Sequence, residues 1–160
     1  MLFRSKVGKV LTQKAKYGLK ALLMLAQVTG DEFTLVAEIA ERQKAPRKYL
    51  ELILLELRKH GLLHSQRGKN GGFRLARPPA EITFGQIIRV LDGPLAPFPC
   101  ASLMAYRKCE DCVDEEVCAV RKQMRRVRDA VAGILDSTSL ADAAGPALVA
   151  EVIEAAPLPA

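Results

Sequence analysis

Between residues 11 and 60 the apolar positions recur at helical spacing in three successive segments. In LTQKAKYGLKALLMLAQV (11–28), Ala15, Leu19, Leu22, Leu23 and Ala26 share one face. TGDEF interrupts that pattern. Thr34 is then placed to cap a second, shorter helix, TLVAEIAERQ, which is expected to bury Leu35, Ile39 and Ala40. Lys-Ala-Pro reads as a turn, and Pro46 suits a first helical position because the N–H it lacks has no intrahelical partner there. A third helix follows, PRKYLELILLELRKH, with Leu50, Ile53, Leu54 and Leu57 on one face and Gly61 as its glycine stop.

The period then changes. LLHSQRG-KNGG-FRLA reads as two short strands about a glycine-rich tip, and Asn70-Gly71-Gly72 is a strong hairpin signal. Pro78-Pro79 closes the unit, and TFGQIIRVLDG (83–93) is one more short helix with Thr83 near its start. PLAPFP cannot be helical and delivers the chain to Cys100. Further on, Val113, Val117, Val120, Met124, Val127, Val131 and Ile134 are spaced 4, 3, 4, 3, 4 and 3 apart. That is a heptad seam, on a charged helix predicted over about 113–136, and so narrow a stripe fits pairing with a symmetry mate better than packing on its own core. STSLADAAG adds a cap and one further helical turn, ahead of an Ala/Pro-rich tail.

Helix, short helix, tight turn, helix and hairpin is the order of a winged helix-turn-helix. The predicted fold is therefore mainly α with a small β-hairpin wing: a winged helix-turn-helix domain plus a long C-terminal dimerisation helix. The expected divisions are a DNA-binding domain over 10–93, a Pro-rich connector and cysteine loop over 94–112, the dimerisation helix and a short end helix over 113–142, and a mobile tail over 143–160.

Composition agrees with this and sharpens it. A chain of 160 residues, 49% hydrophobic, can build one core. No apolar run approaches the roughly 18 residues of a membrane span, and no apolar signal core follows the basic MLFRSKVGK, so a cytoplasmic protein with no membrane partner is expected. The net charge of +6 is uneven: residues 1–90 carry 17 Lys/Arg against 7 Asp/Glu, and residues 91–160 carry 7 against 11. A basic front half suits a polyanion.

In a winged helix the third helix can enter a major groove, and here its amino end carries Arg47, Lys48 and Tyr49. The wing tip would set Arg67, Lys69 and Asn70 beside a backbone or minor groove. Gly68, Gly71 and Gly72 would let it approach phosphates closely with amide donors free. Each piece has a plainer reading: a hairpin that is only a hairpin, solvated cations, a tyrosine packed against the second helix. Their joint order on the basic half favours double-stranded DNA.

All four cysteines lie in CASLMAYRKCEDCVDEEVC, as Cys100, Cys109, Cys112 and Cys118, spaced x8, x2 and x5. Four thiolates suit a tetrahedral metal or an iron–sulfur cluster. Zinc knuckles pair two Cys-x2-Cys steps, whereas one irregular step in a loop running into a helix is more cluster-like. Cys118 is expected in the first turn of the long helix, where the helix terminus stabilises a thiolate. A Cys109–Cys112 redox pair would need a βαβ context that the pattern lacks, and four buried structural thiols do not suit so polar a loop. His60 and His64 lie far from the thiols, and no nucleophile–base set is visible, so the chain does not read as an enzyme.

LTQKAKYGLKALLMLA, VAEIAERQKAPRKYLELILLELRKHGLL, RGKNGGFRLARPP and ITFGQIIRVLDGPL, with the cysteines downstream, resemble the bacterial winged-helix regulators typified by the iron–sulfur cluster regulator IscR. The resemblance spans about residues 10–142. It implies a homodimeric transcription factor, usually a repressor, on a near-palindromic operator. It implies major-groove reading by Arg47, Lys48, Tyr49 and Glu51, and a minor-groove contact by Arg67. It further implies a 2Fe–2S or 4Fe–4S cluster on three cysteines, matched by Cys100, Cys118 and one of Cys109 or Cys112, whose state tunes DNA affinity. The chain departs from the pattern in its fourth thiol, which could complete an all-cysteine ligand set. It also has Lys16 where one branch of the family has an aspartate ligand. The family begins near residue 10, so Val10 is expected as the true initiator.

The resulting expectation is a dimeric repressor whose cysteine loop senses iron–sulfur, redox or nitric oxide status by changing the spacing of two reading heads. The alternatives are a cluster-free regulator controlled by a protein partner and a zinc-stabilised DNA-binding module.

Overall fold

A computed structural model of the chain describes residues 11–28 and 30–145. The expected initiator Val10, and the tail from residue 146 onward, lie outside the described residues. The elements run in the order α1 (Gln13–Ala26), α2 (Val36–Gln43), α3 (Arg47–Lys59), β1 (Leu63–Gln66), β2 (Gly72–Leu75), α4 (Phe84–Leu91), α5 (Ala119–Ser137) and α6 (Leu140–Ala143). Short 3-10 turns at Pro79–Glu81 and Pro99–Ala101 separate the later ones. Among the described residues no helix is long and apolar enough to cross a membrane.

α3 is the middle of the packing. Leu50, Ile53, Leu54 and Leu57 are buried among α1, α2, α4 and β1. Ala15, Ala21, Leu22 and Leu25 of α1, Ile39 and Ala40 of α2, and Ile87 and Leu91 of α4 complete the core. The ends are fixed by local chemistry. The Thr12 hydroxyl accepts the Ala15 N–H at 3.2 Å and caps α1, while the Thr12 N–H donates to Asp92 at the end of α4 at 2.7 Å. Gly61, at φ +73°, stops α3 with the paired bonds Leu62 N–H to Leu57 O and Gly61 N–H to Arg58 O, both 3.0 Å, as its sequence position predicts. Pro46 stands one place earlier than expected, as the N-cap of α3.

Other expectations are corrected. Thr34 does not cap α2, whose N-cap is Leu35 without a side-chain bond, and Leu35 is exposed. Thr34 instead forms an isolated bridge to the wing, exchanging two backbone hydrogen bonds of 2.9 Å with Phe73. Pairing a third segment to the hairpin buries Thr34 and Phe73 together, which a capping role would not.

The long helix begins at Ala119 rather than near 113, because Cys118 leaves the helical region with ψ 105°. The cysteine loop therefore runs to Cys118 rather than ending at 112. The short end helix belongs with the winged-helix body. Leu140 is fully buried in that core, its N–H donates to Ile82 O at 2.8 Å, and Thr83 and Ser139 form a bridge.

β1 and β2 are antiparallel, with Leu63 opposite Leu75 and Gln66 opposite Gly72. Gly72 sits at φ +134°, and a Cβ there would lie 2.1 Å from the Thr34 carbonyl oxygen. Gly72→Ala is expected to cost about 2–3 kcal/mol by pushing the α1–α2 connection off the base of the wing. Urea unfolding monitored by far-ultraviolet dichroism checks this, and an unchanged midpoint would show that the contact is not close in solution.

Candidate nucleic-acid interface and cysteine loop

Burying one face of α3 leaves its opposite face in water. Arg47, Lys48, Tyr49 and Glu51 are all exposed there. Tyr49 is partly committed to packing, but against α1 rather than α2: its ring meets Tyr17 edge-on, with centroids 6.2 Å apart at 79°. Leu52 was not anticipated, yet its side chain stands 64% exposed on this face. Its signal in the sequence is spacing, since Lys48, Glu51 and Leu52 are at i, i+3 and i+4.

The wing presents Arg67, Gly68, Lys69 and Asn70 to solvent. The three glycines are not alike. Gly68, at φ +107°, faces open space. Gly71 is buried, donates its N–H to Gly68 O at 3.0 Å, and has no room for a Cβ because Gln66 O would lie at 2.3 Å. Gly72 is packed on Thr34 as above. The expectation of free amide donors therefore fails at Gly71, whose amide closes the tip's own turn. Below the tip, Arg74 pairs with Asp31 and lies 5.2 Å over the Phe33 ring, tying β2 to the α1–α2 connection.

The cysteine loop is held down by arginines of α5 that the sequence reading missed. The Arg121 Nε donates to Cys100 O at 3.0 Å, and its Nη1 to Glu115 O at 3.4 Å, with the guanidinium 5.8 Å from the Tyr106 ring centre. Arg128 is buried, donating to Ala101 O and, from Nε, to Asp129 at 2.8 Å. Residues 121 and 128 are one heptad apart, beside the seam positions Val120 and Val127, which is the signal that could have found them. Arg89 of α4 then grips Asp136 of α5 in a two-point pair of 2.5 and 2.8 Å. A continuous set of polar contacts thus runs from the loop through α5 to α4.

Each predicted thiol can now be placed. Cys100 is buried in the Pro99–Ala101 turn, and Cys109 and Cys112 are half-buried. Cys118 is the N-cap of α5 rather than a member of its first turn, and its Sγ accepts the Arg121 N–H at 3.4 Å. Hydrogen bonding to Cys100 pushes the Cys109 thiol above its usual range, and burial, with Cys118 beside it, does the same to Cys112. Among the described residues, no three His, Cys, Asp or Glu side chains converge as a metal-binding group.

Residues 11–146 match the Rrf2 family, described as iron-dependent transcriptional regulator. The chain belongs to the Rrf2 family. An rrf2-like protein of Rhodobacter capsulatus is 43% identical over 136 residues, covering 83% of this chain and 91% of that one. Among solved structures, CymR, the global cysteine regulator of B. subtilis, is 39% identical with a TM-score of 0.69, over 84% of this chain and 95% of its own. IscR of T. potens is 31% identical with a TM-score of 0.67, over 96% of this chain and 95% of its own. The chain is thus a winged-helix transcriptional regulator of the Rrf2 family.

In this Rrf2 regulator the donor set fits an iron–sulfur centre in kind, because cysteine thiolates are the usual ligands of such clusters. Cys100, Cys109, Cys112 and Cys118 would hold such a centre, and to do so they must converge more closely than the structure has them.

The Arg89–Asp136 pair gives a pH test. The Arg89 hydrogen bonds hold the Asp136 carboxyl below its usual range, against some burial. A depressed carboxylate stabilises the fold above its unfolded pKa, near 4, and loses that contribution as pH falls through the folded value. Asp136 is 45% exposed, so screening keeps the gain below about 1 kcal/mol. The stability gap between wild type and Asp136→Asn should be constant from pH 5 to 7 and shrink below about pH 4. A gap that is the same at pH 3 would remove the pair from the energetics.

Proposed function

We propose that this regulator is a homodimeric repressor of a near-palindromic operator, and that its cysteine loop holds an iron–sulfur centre that sets DNA affinity. The observation that carries the reading is placement. Four thiols lie between the winged-helix body and the heptad seam, with Arg121 and Arg128 fastening the loop to α5 and Arg89–Asp136 fastening α5 to α4. The family description as iron-dependent supports the choice of metal. When bound, the centre supplies a group whose integrity and oxidation state respond to iron, oxidants and nitric oxide.

The chain's own residues do the rest. Arg47, Lys48 and Glu51 of α3 reach base edges in the major groove, Leu52 offers an apolar contact to a thymine methyl, and Tyr49 braces the helix against Tyr17. Arg67 enters the adjacent minor groove, with Lys69 and Asn70 on the backbone and Gly68 letting the tip adapt. Val120, Met124, Val127, Val131 and Ile134 of α5 meet the same residues of a second copy, which places two α3 helices on half-sites about one helical turn apart. Movement of the loop shifts α5 through Arg121 and Arg128, and so shifts that separation.

In operator titrations by fluorescence anisotropy, Arg67→Ala should weaken binding and lower the slope of log affinity against log salt by about one. Val127→Asp should give a monomer by sedimentation and lose most of the affinity. Unchanged binding by Arg67→Ala would take the wing out of the mechanism, and a dimeric Val127→Asp would take α5 out of the interface.

The cofactor is tested by the ultraviolet–visible spectrum of anaerobically purified protein, with iron and sulfide assays. Broad absorption near about 400 nm with both elements present is expected. Colourless protein carrying zinc would make the loop a structural staple. Colourless, metal-free protein that still binds DNA would favour a regulator under a protein partner's control, a reading to which the likeness to the cysteine regulator CymR lends weight.

A further inference from the structure

The heptad phase of α5 does not stop where the helix stops. Val117 and Val113 continue the 4-3 spacing, yet they lie in the loop at 71% and 97% exposure. The interruption is one residue wide. Residues 115–117 already form a turn, and α5 starts at Ala119. Only Cys118 intervenes, with a helical φ of −64° and a non-helical ψ of 105°.

Both ends of this junction are capped. Cys118 caps the observed helix by accepting the Arg121 N–H on its sulfur, a weak acceptor compared with the oxygens that usually fill this place. Three residues upstream of Val117, a second cap is already set: the Asp114 carboxylate accepts the Glu116 N–H at 2.8 Å, the geometry of an N-cap bonded to N2. The residues that would then open the helix, Glu115 and Glu116, are acidic and suit a helix N-terminus. The backbone bonds of a continuous helix are meanwhile replaced by substitutes. Arg121 Nη1 occupies the Glu115 carbonyl, which would otherwise take the Ala119 N–H. The Lys122 N–H to Cys118 O bond of 3.1 Å belongs to both arrangements.

We propose that Cys118 is a helix hinge. When its sulfur no longer caps Arg121, rotation about its ψ joins residues 115–117 to α5, Asp114 becomes the cap, and Val117 is added to the seam that faces a second copy of this chain. Whatever engages the Cys118 sulfur competes with the Arg121 amide for it, so chemistry at this thiol is converted into the length of the helix. The pairing half of the statement rests on the dimer reading above, whereas the hinge half does not.

The test uses the full chain without metal. Backbone Cα chemical shifts of residues 115–118 should be non-helical in the wild type. They should move to helical values in Cys118→Ala, which cannot cap and favours helix. Cys118→Gln should behave in the same way and stands in if the alanine variant fails to fold. Cys118→Ser, whose hydroxyl can cap, should keep the wild-type shifts. Adding Asp114→Ala to Cys118→Ala should reverse the change. By sedimentation, Cys118→Ala should dimerise at least about ten-fold more tightly than wild type, because Val117 is buried in both copies. Shifts that are alike in wild type and Cys118→Ala, whether helical or not, would overturn the hinge. Helical shifts with unchanged dimerisation would overturn the placement of Val117 in the seam. A Val127→Asp variant that still dimerises would instead take α5 out of the dimer interface and leave the shift result standing.

Discussion

The structure turns on the burial of one face of α3. Leu50, Ile53, Leu54 and Leu57 are taken up by α1, α2, α4 and the start of the wing. At 3.6 residues per turn, putting those four inside obliges Arg47, Lys48, Glu51 and Leu52 to stand outside. The surface proposed to meet DNA is therefore a by-product of the core, and it is as rigid as the core is. The same face positions the wing, since Leu62 and Leu63 are buried directly after the helix stop at Gly61 and send the hairpin out from the end of α3.

Polar contacts hold what apolar burial does not reach. The loop from Pro94 to Cys118 contributes few side chains to the core, and the exposed Phe98, Leu103, Met104 and Tyr106 show how little of it is packed. What fixes it is directional: two α5 guanidinium groups donate to the carbonyls of Cys100 and Ala101. Arginine suits this work because its planar donors reach several acceptors at once while its stem covers apolar surface. A loop held by a few such bonds can change shape without unfolding its neighbours, which is the property a sensing element needs.

Long, charged α5 is apolar mainly along its narrow seam, and in the single chain that seam is largely uncovered, with Val120 and Ile134 among the exposed apolar residues. Val113 and Val117 are exposed as well, immediately upstream of it. Two features of one region, the thiols and the unpartnered apolar stripe, adjoin at Cys118, the N-cap of α5.

The sequence by itself determined the elements whose evidence is local. The helical periods of α1 and α3, the Gly61 stop, the hairpin and the α5 seam are all readable because each follows from neighbours within a few residues. The basic front half and the clustered thiols were legible in the same way, and they led to the right family and fold. What only the tertiary structure decided involved partners distant along the chain. Thr34 looks like a cap until Phe73 is brought beside it to pair. Gly71 and Gly72 look like an open tip until Gln66 and Thr34 press on them. The end helix looks like an appendage of α5 until Leu140 enters the core beside Ile82. Arg121 and Arg128 look like solvated charge until the loop carbonyls return to them. At Cys118 the local pattern and the fold disagree outright. Periodicity runs a helix through it, and the structure halts that helix where Arg121, drawn to the distant Cys100 carbonyl, also takes up the Glu115 carbonyl and leaves its own amide to the Cys118 sulfur.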